Sequence, residues 1–509
     1  MAPLGTVTSK SEPRAVPLRA SAGSKWIAGS GGGALERLSS YSGQRVHVVG
    51  VAGTGVRGLV SLLHDKGVKI TGSEMLESPV LDKFRGRGID CRVGHSSINV
   101  GKETNLVLIS AAVTDSNPEV RAAQASGIPV LKYAELLGRI MSEKIGIAVS
   151  GTHGKTTTTA MISYVLREAL LDPSFLIGGD FPGLGGSSHW GDGPYFVAEA
   201  CEFDRSFLNL RPKVSVVTNI EEEHLDYFRS LKEIQGAFAE FVRLLPEDGY
   251  LVVNRDDPSS TYLSEFCRSQ VGTFSLRPHA ADWWAENLVP AAGGTRFRVA
   301  GQNGEECQFR LIVPGPHNVL NALATVAVCR RAGVPLKAIA DALQGFSGVR
   351  RRFEALARGS IAVIDDYAHH PTEIAAVHRA ARESFEGRRL IAVVQPHQHS
   401  RLKALLPRFA EALSGFDAVL VTDVYRARDT DDDARTVQSS TLVRAINDGR
   451  PRTAALHTPR FEDALGAIES MATAGDAFIF MGAGDITDLA KRCARTLLAR
   501  ESRESTVEP

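Results

Sequence analysis

An excess of one charge sign is absent from this chain. Its 509 residues carry 58 Lys and Arg against 58 Asp and Glu, a formal net charge of zero. A nucleic-acid binder usually shows a basic face, so no nucleic-acid partner is expected. Paired cysteines are absent too. Cys91, Cys201, Cys267, Cys307, Cys329 and Cys493 are scattered without CxxC spacing. That excludes a disulfide framework or thiolate zinc site and points to reduced thiols in a cytoplasmic protein. No apolar run approaches the roughly 20 residues that span a bilayer, so membrane insertion is not expected. What remains is an ordinary globular composition, 43% hydrophobic and 23% charged. The length suits roughly two to four domains. Residues 1–42 are rich in Ser, Gly, Ala and Pro and lack both an apolar h-region and periodicity. They read as a disordered extension, not a signal peptide. Glu12 and Glu36 argue against a transit peptide.

The most informative stretch is Ile145 to Met161, IGIAVSGTHGKTTTTAM. A short apolar run, a glycine-rich turn from Gly151 through Thr152, His153 and Gly154, then Lys155-Thr156-Thr157 and a helical pattern make a phosphate cradle. Glycines let backbone N–H groups approach phosphate oxygens, and the helix N-terminus adds a positive dipole end. Lys155 can reach β/γ-phosphates and the Thr156 hydroxyl can ligate Mg²⁺. The strict Walker spacing would put glycine where Val149 stands, so this is a shortened variant.

Upstream, the strand Arg45 to Gly50 runs into Gly53-Thr-Gly55-Val-Arg-Gly58 and a helix through Leu59, Leu62 and Leu63. Glu74 follows Gly53 by 21 residues, where a dinucleotide-binding domain keeps its ribose acid. Alone, this reads equally well as an NAD site. Strands at Val68–Thr71, Leu106–Ile109 and Pro129–Leu131, with a helix near Ala134–Met141, give a parallel α/β domain over residues 43–143.

A second domain, 144–346, holds the phosphate cradle. Strands ending at Glu199 and Asn219 bring Glu199 and His224 towards it, because ligands gather at strand C-termini in open α/β sheets. A carboxylate, an imidazole and a hydroxyl beside a triphosphate suit Mg²⁺. Short alternating runs from Gly272 to Val313 predict peripheral antiparallel strands. His317, Asn318 and Asn321 open an Ala-rich helix, where they can serve a base or ribose, or simply cap it.

A third domain, 347–498, starts at Gly348-Val-Arg350-Arg351-Arg352-Phe353. An arginine in front of a triphosphate would stabilise charge on a transferring phosphoryl group. Strand-to-polar-turn units follow at Asp365-Asp366-Tyr367-Ala-His369-His370-Pro371, at Gln395-Pro-His397-Gln398-His399-Ser-Arg401, at Thr422-Asp423 and at Gly482–Asp485. Paired histidines suggest zinc, but no HxxxH spacing is present and Pro371 marks a turn, so zinc is set aside. Residues 499–509 read as a frayed tail.

Eight motifs in order resemble the Mur ligase family over residues 43 to 498: GVAGTGVRG (50–58), GTHGKTTTTAM (151–161), EACEFDRSFL (199–208), TNIEEEHLDY (218–227), GPHNVLNA (315–322), RRF (351–353), DDYAHHPTE (365–373) and QPHQHSR (395–401). The resemblance implies three α/β domains: a Rossmann-like domain for a UDP-substrate rather than NAD, a central P-loop ATPase domain with a parallel sheet, and a Rossmann-like C-terminal ligase domain. It further implies an ATP- and Mg²⁺-dependent ligase of peptidoglycan precursor synthesis, a monomer or homodimer. The reaction would join L-alanine to the lactyl carboxylate of UDP-N-acetylmuramate through an acyl phosphate. By motif matching, Gly151–Thr157, His317, Asn318, Asn321, Arg352 and Asp366 would hold ATP. Thr156, Glu199 and His224 would ligate metal. Tyr367, His369, His370 and Arg401 would line the alanine and acyl pocket. Gly53, Gly55, Ser73, His95 and Ser110 would contact UDP. Lys155, Glu199, His224, Arg352 and His370 would be catalytic.

The chain departs from the family's pattern at Cys201, where EADES is frequent, at Gln398, where Arg is frequent, and at Arg350, where some members have Gly. No carbamoylatable lysine is evident between Gln235 and Leu245, in keeping with the alanine-adding branch. Three alternatives stay open: a sister ligase that adds a preformed peptide in wall recycling, an NAD-dependent oxidoreductase, and a silent UDP-sugar-binding regulator. The last two leave the Lys-Thr turn and the acidic motifs without a role.

Overall fold

A computed structural model describes residues 41–504 except 226, 292–293 and 450–452. Three sheets follow one another along the chain. The first is parallel and five-stranded, in spatial order Asp90–Val93, Lys69–Glu74, Arg45–Val49, Leu106–Ile109, Val130–Lys132. Its direction of growth reverses beside Arg45–Val49, so the Gly50–Gly58 turn lies at the switch point where open sheets form a crevice.

The second sheet has ten strands. At its centre Ile145–Ser150 pairs in parallel with Val214–Val217 on one side and Tyr195–Glu199 on the other. Every residue of Ile145–Ser150 is buried, as expected of a parallel strand covered on both faces. Ile145, Ile147 and Val149 face a core built with helices Lys155–Glu168, Pro316–Arg331 and Leu336–Gln344. Ala148 faces the opposite core, with Phe238 and Phe241 of helix Leu231–Val242. That second core runs on into the first domain through Leu59, Leu136 and Leu137. Gly58 is where the two domains touch: a Cβ there would lie 3.1 Å from Leu176 Cδ1.

The third sheet has six strands, ordered Glu354–Arg358, Ala362–Asp366, Asp476–Met481, Arg389–Val394, Ala418–Val421, Ala454–His457, all parallel except the first pairing. Asp365, Asp366 and Gln395 sit at the C-terminal ends of their strands.

The structure corrects three expectations. The segment from Gly272 is not antiparallel from its start: Gln270–Ser275 pairs in parallel with both neighbours, and only Trp283–Ala291, Gly294–Gly301 and Glu306–Leu311 form an antiparallel ribbon. Buried Gly272 and Phe274 alternate with half-buried Val271 and Thr273, the pattern of an antiparallel strand, which disguises the pairing direction. The proposed tail is not frayed from residue 499, because the last helix runs Ile486–Glu504. Order begins before residue 43, since Tyr41 is buried in the core shared by the first two domains. Residues 1–40 and 505–509 of the proposed extension and tail lie outside the described residues.

Candidate functional site

The phosphate cradle forms as its residue types dictate. Gly154 precedes helix Lys155–Glu168 in the left-handed region, φ 84°. A Cβ there would also approach Asn321 Oδ1 to 2.6 Å, so any other residue both strains the backbone and pushes the Asn321 amide aside. Lys155 Nζ donates to the carbonyls of Gly151 (2.5 Å) and Thr152 (3.0 Å) and to Glu202 Oε1 (3.1 Å). Burial opposes its charge, but Glu202, Cys201 and Glu199 outweigh that and raise its pKa. Thr156 Oγ1 donates to Glu199 Oε2 at 2.8 Å, and Gly178 N donates to the same oxygen at 3.1 Å. Parallel pairing of Val149 with Glu199 puts this carboxylate beside the cradle. His224 adopts φ 53° and lies 3.9 Å from Glu202. Burial lowers its pKa against the pull of Glu202 and Glu223. Its Nδ1 and Glu202 Oε2 are buried without hydrogen-bond partners.

On one side of the cradle is a cavity of about 360 Å³ lined by His153, His317, Asn318, Asn321, Arg352 and Asp366. Thr158 donates to Asn321 Oδ1 (3.1 Å), Asn321 Nδ2 to Asn318 Oδ1 (3.2 Å), and Asn318 Nδ2 to the Pro314 carbonyl (2.7 Å). The helix is capped by Gly315, not by these asparagines. His317 is held at about 4 by burial, with Arg379 and Arg352 adding to the effect, so the ring is neutral. Burial pushes Asp366 up to about 6, against Arg352 and the N–H groups of Ala368 and Phe353, each 2.7 Å away.

On the other side is a cavity of about 510 Å³ to which all three domains contribute: Gly55, Arg57 and Tyr133; Thr156, Glu199 and Cys201; Arg351, Arg352, Tyr367 and Lys491. The Arg351 and Arg352 guanidinium carbons sit 4.9 and 5.0 Å from the Tyr367 ring centroid. Burial, reinforced by Arg351, lowers the Arg57 pKa. Arg57, Arg351, Arg352 and Lys491 thus line one cavity together with Thr156 and Glu199.

Of the other residues proposed for the alanine and acyl pocket, His369 packs edge-on against Tyr367, ring centroids 5.4 Å apart. His369 and Arg401 converge on Glu223: Arg401 Nη2 donates to its Oε1 and His369 Nε2 is 3.7 Å away. Burial works against the Glu223 charge, but Arg401 and His369 hold its pKa well below the usual range. His370 is fully buried and caps helix Pro371–Ser384, its Nδ1 accepting the Thr372 N–H at 3.3 Å. His153, whose role the motif did not assign, joins Glu373 Oε1 at 3.2 Å and lies 3.9 Å from Glu221. Burial lowers its pKa and the two glutamates raise it, to about 9 overall. Among the described residues, His153, Glu221 and His370 form a set with metal-ligating atoms within 4.8 Å of one another. The Thr372 N–H occupies His370 Nδ1, and the Nε2 atoms of His153 and His370 are buried without hydrogen-bond partners. His153 of the central domain meets Glu373 of the C-terminal domain here, and Glu221 accepts the Thr372 hydroxyl, so the cluster spans the two domains. Glu202, Glu221, Glu223 and Glu373 were not among the expected site residues, although three recognised motifs contain them.

In the first domain Ser73 and His95 meet, Oγ to Nδ1 at 3.0 Å. Both contact Glu119, which is fully buried. Gly53 precedes helix Thr54–Asp65, Gly55 lies in its first turn, and Ser110 sits across from Gly50, whose added Cβ would be 3.1 Å from Ser110 Oγ. The Glu74 carboxylate accepts the Ala52 N–H at 3.2 Å, bracing the glycine turn.

A P-loop at the centre of a parallel sheet, with a carboxylate on its Thr hydroxyl and α/β domains on both flanks, defines a multidomain nucleotide-binding enzyme. The chain belongs to the Mur ligase family. Family models match in chain order: the Mur ligase family catalytic domain at 45–145, the Mur ligase middle domain at 149–329, and the Mur ligase glutamate ligase domain at 351–484. A UDP-N-acetylmuramate–L-alanine ligase of Acetivibrio thermocellus is 40% identical over 455 residues, covering 89% of this chain and 96% of the relative. One from Chlorobaculum tepidum is 40% identical over 453 residues, 89% and 95%. Among solved structures, the UDP-N-acetylmuramate-alanine ligase of Thermotoga maritima superposes with TM-score 0.76 and 29% identity, covering 90% of this chain and 99% of that one. A murein peptide ligase of Psychrobacter arcticus gives TM-score 0.68 and 25% identity, 89% and 99%. Among the described residues no helix is long and apolar enough to cross a membrane.

Proposed function

We propose that this chain joins L-alanine to the lactyl carboxylate of UDP-N-acetylmuramate with ATP, giving ADP and phosphate, in cytoplasmic peptidoglycan precursor synthesis. One observation carries the reading: the cation-lined cavity reaches from the first domain's glycine turn, past Thr156 and Glu199, to Arg351 and Tyr367 of the third domain. A long anionic substrate fits there with its acyl end at the phosphate cradle. The names of the similar enzymes support the same substrates.

In this reading Ser73, His95, Ser110, Gly53 and Gly55 hold UDP. His317, Asn318, Asn321 and Asp366 hold the nucleoside of ATP, and Gly151–Thr157 its phosphates. Lys155 exchanges its carbonyl partners for β/γ-phosphate oxygens. A lactyl carboxylate oxygen attacks the γ-phosphorus and ADP leaves, forming the acyl phosphate. Arg352 offsets charge on the transferring group. The alanine amine, having lost a proton, attacks the acyl carbon, and the tetrahedral intermediate expels phosphate. Tyr367, His369 and Arg401 shape the pocket for alanine, and His370 sets the turn that carries Tyr367 and His369. Mg²⁺ fits the donors present. Thr156 hydroxyl and Glu199 carboxylate are hard oxygen ligands, and His224 Nδ1 is buried without a hydrogen-bond partner. When bound, it would neutralise phosphate oxygens.

The test is phosphate release from ATP with UDP-N-acetylmuramate and, in turn, L-alanine, glycine or an L-alanyl tripeptide. Turnover with L-alanine is expected. Turnover with the tripeptide alone would replace this reading with that of the peptide-adding ligase. Light scattering should find a monomer or homodimer.

A further inference from the structure

The first domain contains a buried acid that the proposed reaction does not use. Glu119 is fully buried at the start of helix Pro118–Ala125. Its carboxylate is saturated with donors. Ser73 Oγ donates to Oε2 (2.5 Å), Asn99 Nδ2 to Oε1 (2.5 Å) and Ser96 N to Oε1 (3.1 Å). His47 Nε2 and His95 Nδ1 approach Oε2 at 3.4 and 3.5 Å. A carboxylate met only by donors stays ionised, and burial is outweighed by these bonds, so its pKa falls to about 2. An ionised carboxylate accepts and never donates.

That settles the protons one bond further out. Ser73 has one hydroxyl proton, and it goes to Glu119. Its oxygen then accepts from His95 Nδ1, 3.0 Å away. His95 Nδ1 must therefore carry hydrogen, and a neutral ring keeps Nε2 bare, as an acceptor. Among the described residues no hydrogen bond involves that Nε2. Ser73 is also tied to the glycine turn: its carbonyl accepts the N–H groups of Gly50 (2.9 Å) and Val51 (3.1 Å). His95 follows Asp90–Val93, the strand beside Lys69–Glu74, and so stands at the crevice end of the sheet.

We propose that Glu119 is a positioning residue: through Ser73 it locks His95 as the Nδ1-protonated tautomer, so that Nε2 accepts a hydrogen bond from a nucleoside donor, either an imide N–H or a ribose hydroxyl. The inference rests on the UDP-substrate reading of this domain. The relay selects for a donor on the ligand, so a base or sugar lacking one leaves His95 unpaired in a partly enclosed site.

Three measurements test it on the full-length chain. Nitrogen-15 NMR of labelled histidines should show His95 as the Nδ1–H tautomer in the wild type and as Nε2–H in Glu119→Gln. The introduced amide donates to Ser73 and turns the hydroxyl proton towards His95. In kinetics, Glu119→Gln should raise KM for UDP-N-acetylmuramate about tenfold with kcat within about twofold. Asn99→Ala strips a different donor from the same carboxylate. It should lower Tm yet leave KM and the tautomer unchanged, and it supplies the structural control if Glu119→Gln folds poorly. In binding, UDP is compared with N3-methyl-UDP and with 2′- and 3′-deoxy-UDP. One analogue should bind about tenfold more weakly to the wild type and equally to Glu119→Gln, identifying the donor as imide or hydroxyl. The proposal is overturned by an Nε2–H tautomer in the wild type, by equal KM effects of Asn99→Ala and Glu119→Gln, or by UDP binding with no analogue discrimination. Failure of the wild type to bind UDP at all would overturn the UDP reading itself, and this inference with it.

Discussion

Two glycine-rich turns in this chain share a plan and differ in what reaches them. Gly50–Gly58 and Gly151–Thr157 each leave a buried parallel strand and open a helix. At the second, Lys155 stands at the helix start, Glu199 and Glu202 close on it, and Gly154 is left-handed. At the first there is no lysine, Gly53 has an ordinary φ of −56°, and the nearby acids are spent: Glu74 on the Ala52 N–H, Glu119 on Ser73 and Asn99. The first turn thus offers backbone donors and a single cation, Arg57, enough for a diphosphate that only has to be held. The second concentrates mobile charge, which a phosphate needs if it is to be transferred. Chemistry here follows the side chains delivered to the turn, not the turn itself.

The sharpest way to break that contrast is Lys155→Ala. Ligation should fall at least about 10³-fold, roughly 4 kcal/mol, while calorimetric binding of UDP-N-acetylmuramate stays unchanged. If substrate binding were lost as well, the two turns would not be independent sites. Next in size is acid sensitivity. The Glu119 pKa is depressed from 4.5 to about 2. Its contribution is therefore present above the unfolded value and lost as pH falls from about 4.5 towards 2, amounting to about 3 kcal/mol. Denaturant titrations across that range should show the loss in the wild type and not in Glu119→Gln; parallel curves would refute the assignment. Smaller is Gly154→Ala, which imposes a left-handed alanine at about 1–2 kcal/mol and should weaken ATP binding about tenfold. Gly53→Ala, at negative φ, should leave ATP binding untouched. Smallest is Cys201→Ala. Although the residue is exposed in the cavity wall, the loss of bulk water around its thiol and the Glu202 charge raise its pKa, which disfavours the thiolate at neutral pH. Steady-state rates should stay within about twofold of wild type; a large loss would make this departure functional.

What was legible in the sequence was local. Strand, turn and helix around Gly151–Thr157 and Gly50–Gly58 need only neighbouring residues, and the placing of Glu199 beside Thr156 followed from parallel pairing. The acid clusters were not legible, because they close over long separations: His153 and Glu373 are 220 residues apart, Thr372 and Glu221 151 apart. Nothing near His153 signals that its partner is a glutamate on another domain. The parallel strand Gln270–Ser275 was hidden because pairing direction belongs to the sheet and not to the strand. The relay from Glu119 was hidden for a similar reason. That acid sits 46 residues from Ser73 and looks, in sequence, like one more solvated helix-start glutamate.

The central core has a consequence for how the chain is made. It joins Ile145 to Val349 in one apolar cluster, and helix Pro316–Arg331 lies buried within it. Until that helix emerges from the ribosome, helix Lys155–Glu168 is the earlier-made cover on that face. About 200 residues separate the two ends, some 10–40 s of synthesis at typical bacterial rates. During that interval Ile145, Ile147 and Val149 have only part of their final cover, from helix Lys155–Glu168. The first domain, complete by then, shelters part of the opposite face, the one that Ala148 shares with it.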